Sequence, residues 1–405
     1  MRKFLCLIPV ASLAACGGAG PQSVGSQAAP VAPTPAGGTN TNPANNHTFV
    51  APTVQKVYPA IGGVQSYSYT TETVRAPVVG SQTDQLYAAD ASTARNSGIT
   101  VDYNPRDGIF DVKIEAPLAL VSQTIRFQDP LHRTDFGGAE APQTGTPRLT
   151  VNAGVQYLEA GSRTDPIVYN SPNDMLPVGD VDGSVNTFTF FYQKPGTSTK
   201  YVTFAGYVRN ATSIVEDLQA GGGSRILQKN TLERAAFAYG ERTANDAVPR
   251  TGTATFNGAM VASMVYNPLR DDIRSAPTYF QWIEGKSQTT VDFGANSFTL
   301  NLTGTVFAPQ LDNFTSKTAV LGAGATFAAS GAGRVDLVNA GGFLGEFTSV
   351  SFGQDGASMP VTIAGSSIDG AFFGPAANEV GGGFRIVGGR PDQRIDILGA
   401  FTGTK

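Results

Sequence analysis

Residues 367–405 constrain the fold more than any other stretch. Three short apolar runs, 368–373, 380–386 and 395–401, are divided by Gly-Pro-Ala-Ala-Asn-Glu and by Gly-Gly-Arg-Pro-Asp-Gln. Runs of that length, split by Gly, Pro, Asn and Asp, are the pattern of β-hairpins. None is long enough for a helix. Gly370, Gly382 and Gly383 sit inside the runs. Glycine weakens a strand interior, so it is expected there where a sheet bends sharply or another backbone comes close. A small closed barrel needs both. The edge of a β-sandwich fits the same pattern, and these residues alone leave barrel and sandwich open.

Upstream, the same kind of run continues back to about residue 249. Eight strands are predicted: 251–266, 287–294, 297–306, 322–332, 344–353, 365–373, 380–388 and 394–402. The first has one face of Ala254, Phe256, Met260, Ala262, Met264 and Tyr266. Its other face is mainly Thr251, Thr253, Thr255, Asn257 and Ser263. Strand 297–306 repeats this, with Phe298, Leu300, Leu302 and Val306 against Ser297, Thr299, Asn301, Thr303 and Thr305. Period-two alternation means one buried face and one wet face. It does not say which face points inward, because a membrane barrel is apolar outside and a soluble one apolar inside. The strands lack paired aromatic girdles, which favours the soluble form.

The order Asp369-Gly370-x-Phe372-Phe373-Gly374-Pro375-x-Ala377-x-Glu379-x-Gly381-Gly382-x-Phe384, closing on Gly399-Ala400-Phe401, resembles the carboxy-terminal barrel of the transferrin-binding protein B-like surface lipoproteins. The resemblance is specific over about the last 40 residues. It runs more loosely back to about residue 235, through Phe237-Ala-Tyr239-Gly240-Glu-Arg-Thr243 and Gly252-Thr-Ala-Thr-Phe256-Asn-Gly258. It implies a mostly β "handle" followed by a filled barrel. The fold expected is therefore all-β: a handle over 49–245, then an eight-stranded antiparallel soluble β-barrel over 246–405. The family's partner-binding residues lie on variable loops and are not carried over to positions here.

The amino-terminal end reads as a lipoprotein signal. Arg2 and Lys3 form a basic start, residues 4–13 are apolar and too short to span a bilayer, and Leu13-Ala14-Ala15-Cys16 is a lipobox. Cleavage after residue 15 leaves Cys16 to carry the lipid, palmitate among its acyl chains. Several chains on one Cys give stable anchoring, whereas one is marginal. Gly17 follows, with no Asp to retain the protein at an inner membrane, so the expected address is the outer membrane. The chain has two cysteines, and Cys6 leaves with the signal. The mature protein then has no disulfide, and its core must supply stability. Residues 17–48 hold no charged and no aromatic side chain, which marks a tether that cannot fold. Its root-mean-square reach is about 30 Å and its full extension about 100 Å.

Between tether and barrel, strand-like runs appear at 65–74, 99–103, 109–115, 185–193 and 201–209. Asn104-Pro105-Arg106-Asp107-Gly108 and Lys194-Pro195-Gly196-Thr197 have the residues of hairpin loops. Residues 209–218 and 228–236 are predicted as short helices.

Catalytic constellations are scarce. The chain has two His and 15% charged residues, and it lacks the Gly-x-Ser-x-Gly, phosphate-loop and His-Glu-x-x-His patterns. No enzymatic activity, cofactor or metal is expected. His132, in Asp129-Pro-Leu-His132-Arg133-Thr-Asp135, is the one candidate haem ligand, against a plain loop histidine. Asp180-Val-Asp182-Gly183 starts like a calcium loop but lacks the later ligands, and Asp271-Asp272 reads as a charged loop tip. Net charge is −4 with signs interspersed, which argues against nucleic acid as a partner. Exposed loop aromatics mark protein partners. Tyr279, Phe280 and Trp282 are the candidates, against the alternative of a strand packed on the handle.

These features lead to an outer-membrane lipoprotein, surface-exposed, that captures an extracellular ligand for uptake or adhesion. By resemblance that ligand is an iron- or haem-carrying protein, haem, or another host or environmental protein, in the service of iron acquisition. The resemblance also implies an outer-membrane receptor and a lipoprotein translocon as partners. The length holds one handle and one barrel where transferrin-binding protein B has two such lobes, so architecture is implied more firmly than ligand. The alternative is a structural or envelope-interaction lipoprotein with no small ligand.

Overall fold

Alternation and turn chemistry become strands almost everywhere. The computed structural model describes residues 49–73, 82–90, 97–129, 145–164, 183–218, 224–267, 279–309, 321–389 and 393–405. Among them there is no α-helix, and one 3-10 turn spans Pro117–Ala119. The first part contains β1 (Lys56–Pro59), β2 (Ile61–Thr73), β3 (Gln82–Asp90), β4 (Ile99–Asn104), β5 (Ile109–Ala116), β6 (Val121–Gln128), β7 (Val155–Thr164), β8 (Gly183–Gln193), β9 (Val202–Leu218) and β10 (Ser224–Gly240). They form two antiparallel sheets, ordered β1-β4-β5-β6 and β3-β2-β10-β9-β8-β7. The two loops legible in the sequence are hairpin turns here. Gly108 and Gly196 take φ of 62° and 91°, values that strain any side-chain-bearing residue.

The second part is β11 (Thr253–Asn267), β12 (Tyr279–Asp292), β13 (Ser297–Val306), β14 (Thr326–Asp336), β15 (Gly342–Gln354), β16 (Ala357–Pro360), β17 (Thr362–Phe373), β18 (Glu379–Gly389) and β19 (Arg394–Thr404). Eight of them close an antiparallel barrel, β11-β12-β13-β14-β15-β17-β18-β19, with β19 pairing back to β11 at Met260↔Phe401. β16 is a short hairpin added to β15. All eight predicted strands are present. The second begins at Tyr279 rather than 287, because the aromatic stretch before it is strand and not loop.

The apolar face points inward. Phe256, Met260, Met264, Phe298, Leu300 and Leu302 join one core with Phe343, Phe372, Phe384 and Phe401. Phe343 is central, its ring 4.7 Å from Phe298 and 5.5 Å from Phe372. It lies over its cross-strand partner Gly370, where a Cβ would meet the ring at 2.2 Å. The outer residues Thr299, Asn301, Thr303 and Thr305 are exposed. Apolar side chains fill the interior and polar ones cover the free outer wall, the reverse of a membrane barrel.

The two predicted helices are corrected to strand. Residues 209–218 and 228–236 belong to β9 and β10, which pair from Ser224↔Leu218 to Gly240↔Val202. The centre of this hairpin is buried on both faces. Glu233, Ala235, Phe237 and Tyr239 face the four-stranded sheet, packing beside Tyr58, Val101, Phe110 and Phe127. Ala236 and Ala238 face the barrel wall with Val202, Phe204 and Val208. Over 232–236 burial on both sides erases the alternation that would have announced a strand, and Leu, Glu, Arg and Ala then read as helix formers. Tertiary pairing overrides that propensity. The result is three layers: four-stranded sheet, six-stranded sheet, and the barrel wall of β17, β18, β19, β11 and β12.

Candidate functional site at the junction of handle and barrel

Of the site residues expected from sequence, Cys16 and His132 lie outside the described residues, as do the Asp180-Asp182 and Asp271-Asp272 pairs that read as turns. Tyr279, Phe280 and Trp282 are described, and they correct the expectation of exposed partner-binding aromatics. They are strand residues of β12, only 2%, 3% and 3% exposed. Alternation splits them. Tyr279 points into the barrel and stacks on Tyr266 with ring centroids 6.3 Å apart. Phe280 and Trp282 point out, onto the handle. Phe280 packs with Tyr67 and Leu232, under the Arg234 guanidinium at 5.3 Å. Trp282 meets the edge of Phe191 at 5.4 Å, and its Nε1 donates to the Gly145 carbonyl at 2.7 Å. The alternative weighed on sequence, a strand packed on the handle, is the arrangement found.

The same outward face of β12 carries Glu284 next. Its carboxylate is buried at 1% exposure and accepts the backbone N–H groups of Thr150, Val151 and Asn152 at 2.8, 2.9 and 2.9 Å. The Asn152 side chain adds a fourth bond at 3.2 Å. Glu379, the first residue of β18, repeats the device. It accepts the N–H groups of Lys200, Tyr201 and Val202 at 2.6, 2.8 and 3.1 Å. Burial raises its pKa, the first cause, and the three N–H bonds and Lys200 oppose that. Successive backbone N–H groups converging on one anion form a nest.

A third buried carboxylate, Asp396, stands on β19, level with Phe280 and farther from Glu379 than Glu284 is along the strands. It takes a bidentate pair of bonds from Arg385 at 3.0 and 2.7 Å, and Gln65 of β2 donates to its backbone carbonyl at 3.1 Å. On the handle side, the fully buried Arg234 donates to the carbonyls of Arg209 and Glu233 and to Asn210 Oδ1. Burial brings its pKa down to about 9, with Glu233 and Tyr207 working in the other direction, so it stays charged at neutral pH. Every one of these groups is spent on holding backbone or a fixed partner. The arrangement does recognition within the chain, and among the described residues no three His, Cys, Asp or Glu side chains gather as a metal site.

The junction also explains the motif of 369–384. Phe372 and Phe384 point inward, and Phe373 points to the handle. Gly374 turns the chain at φ 86°. At Gly383 the two backbones come close, and a Cβ there would lie 2.7 Å from the Cα of Gly62 on β2. The close backbone approach expected of that glycine is present, and the backbone it meets is the handle's. Glu284, Glu379 and the Arg385–Asp396 pair were missed as functional residues. Arg385 and Asp396 carried the one signal, opposite charges inside strand runs, whereas Glu284 and Glu379 lay just ahead of the predicted strands and read as loop charges.

Residues 248–405 match the family model described as the C-lobe and N-lobe beta barrels of transferrin-binding protein B. No curated protein matches the chain. Among solved structures, the transferrin-binding protein B of Haemophilus parasuis, a vaccine antigen, is similar at 15% identity and a TM-score of 0.28, covering 85% of this chain and 76% of that one. The isotype 1 protein of serogroup B Neisseria meningitidis is similar at 11% identity and a TM-score of 0.23, covering 87% and 77%. The handle-and-barrel chain thus ends, over residues 248–405, in a barrel of the transferrin-binding protein B type.

Proposed function

We propose that this protein is an outer-membrane lipoprotein, anchored by lipid on Cys16 and displayed at the cell surface, that binds an extracellular protein through loops of the handle and barrel. The observation that carries the reading is the filled barrel that ends a chain with a lipobox. A core of interlocked phenylalanines leaves recognition to the outer surface and its loops. The likeness of 248–405 to the barrels of a transferrin-binding protein supports a protein as the ligand class, with iron- or haem-carrying proteins as the first to test. The tether of 17–48 raises the local concentration of the binding lobe near a membrane receptor without adding contacts.

Protease shaving of intact cells tests this, with Cys16→Ser as the control. Expected is cleavage of the barrel while a periplasmic marker survives, with the Cys16→Ser protein no longer cell-associated. Protection of the barrel until the outer membrane is opened would overturn surface capture and leave an envelope role.

A further inference from the structure

The apolar contact between handle and barrel, with Phe191, Val202, Phe204 and Ala236 on one side and Val261, Trp282, Leu398 and Ala400 on the other, is non-directional. Such a patch stabilises docking without fixing rotation or slide. Beside single bonds from Trp282 to the Gly145 carbonyl and from Gln65 to the Asp396 carbonyl, the two buried carboxylates, with three backbone N–H groups each, supply most of the missing direction. Glu284 stands on β12 and Glu379 on β18, with β11 and β19 running between them. Each reaches a different handle connection. Glu284 holds the segment that leads into β7, and Glu379 holds the loop from β8 to β9. One such bond set would leave a hinge, whereas two on separate strands remove the rotation.

The residues that follow the handle are tied as well. Thr243 N donates to the Phe372 carbonyl at 2.9 Å, and Gly374 N donates to the Glu241 carbonyl at 2.9 Å. The connection between the two parts is therefore itself paired to β17. We infer that Glu284 and Glu379 are positioning residues, two pins that lock handle and barrel into one rigid body. Loops from both parts then form a single preformed surface. This inference stands apart from surface display and from the identity of any partner.

The test uses the full-length chain in detergent with Glu284→Gln, Glu379→Gln and the double substitution, and Glu346→Gln on the exposed barrel wall as control. Glutamine keeps the shape but turns an NH₂ toward the N–H donors. Hydrogen exchange is read at the amides of 150–152 and 200–202. Each single variant is expected to speed exchange in its own loop by about 30–100-fold, the loss of bonds to a charged acceptor. Trp282, the only tryptophan, sits in the contact and reports undocking by fluorescence. In the double variant its red shift is expected at lower urea than the loss of far-UV circular dichroism. In the wild type and the control the two transitions coincide. Exchange that rises equally in β13 and β14, or coincident transitions in the double variant, would overturn the inference. Should the double variant not fold, the two single glutamate-to-aspartate variants carry the same comparison, since aspartate keeps the charge but falls short of the nest.

Discussion

Replacing Trp282 separates a structural tryptophan from a binding one. The side chain is 3% exposed, edges onto Phe191, and ties Gly145 by one hydrogen bond of 2.7 Å. Alanine removes the ring and opens a cavity at the handle–barrel contact, a change that costs about 3–5 kcal/mol. Phenylalanine keeps most of the apolar contact and loses the N–H. The Gly145 carbonyl is then left buried and unpaired, for about 1–3 kcal/mol. Trp282→Ala is therefore expected to be the more damaging, with Trp282→Phe between it and wild type. Urea unfolding followed by far-UV circular dichroism on the full-length chain measures both. If Trp282→Ala stays within about 0.5 kcal/mol of wild type, as a surface substitution would, the packing argument fails and Trp282 must be returned to the list of exposed partner contacts.

Three further outcomes follow from the junction. Gly383→Ala places a Cβ against the Gly62 backbone at 2.7 Å, and the forced separation is expected to lower stability by about 1–3 kcal/mol in the same urea assay. Asp396→Asn removes the buried carboxylate that Arg385 bonds twice, with an expected loss of about 1.5–3 kcal/mol, the worth of hydrogen bonds to a charged group. Burial raises the Glu379 pKa, so the folded state holds that proton at a higher pH than the unfolded chain. Its contribution must then weaken as pH rises through the window above the ordinary glutamate value and strengthen as pH falls through it. Urea midpoints of wild type and Glu379→Gln between pH 4 and 7 should show the wild type gaining on the variant toward acid. An opposite slope would mean that the three N–H bonds outweigh desolvation.

Much of the barrel was legible in the chain. Phe298, Leu300 and Leu302 alternate with Thr299, Asn301 and Thr303 because one wall of β13 faces a core and the other faces water. Gly108 and Gly196 marked hairpins because only glycine turns there without strain. Gly370 and Gly383 marked close approach, although what approached differed: the Phe343 ring in one case, the Gly62 backbone in the other. Those are local matters, set by spacing and by residues whose φ is restricted or free. The handle's long hairpin was legible only in part: 201–209 read as strand, but 232–236 of β10 is buried on both faces and shows no period, and 209–218 joins β9 only through its pairing with β10. Nor did sequence place Trp282 or Glu284. Period two tells that Phe280, Trp282 and Glu284 share a side of β12, but the wall they meet comes from residues dozens to more than a hundred positions earlier. The sequence by itself determined most strands, the turns and which residues share a face of each barrel strand, and the filled core of phenylalanines decided that the apolar face points inward. Only the tertiary structure decided that the outward face of β12, β18 and β19 is a second buried surface, because burial there depends on which sheet the handle lays across it.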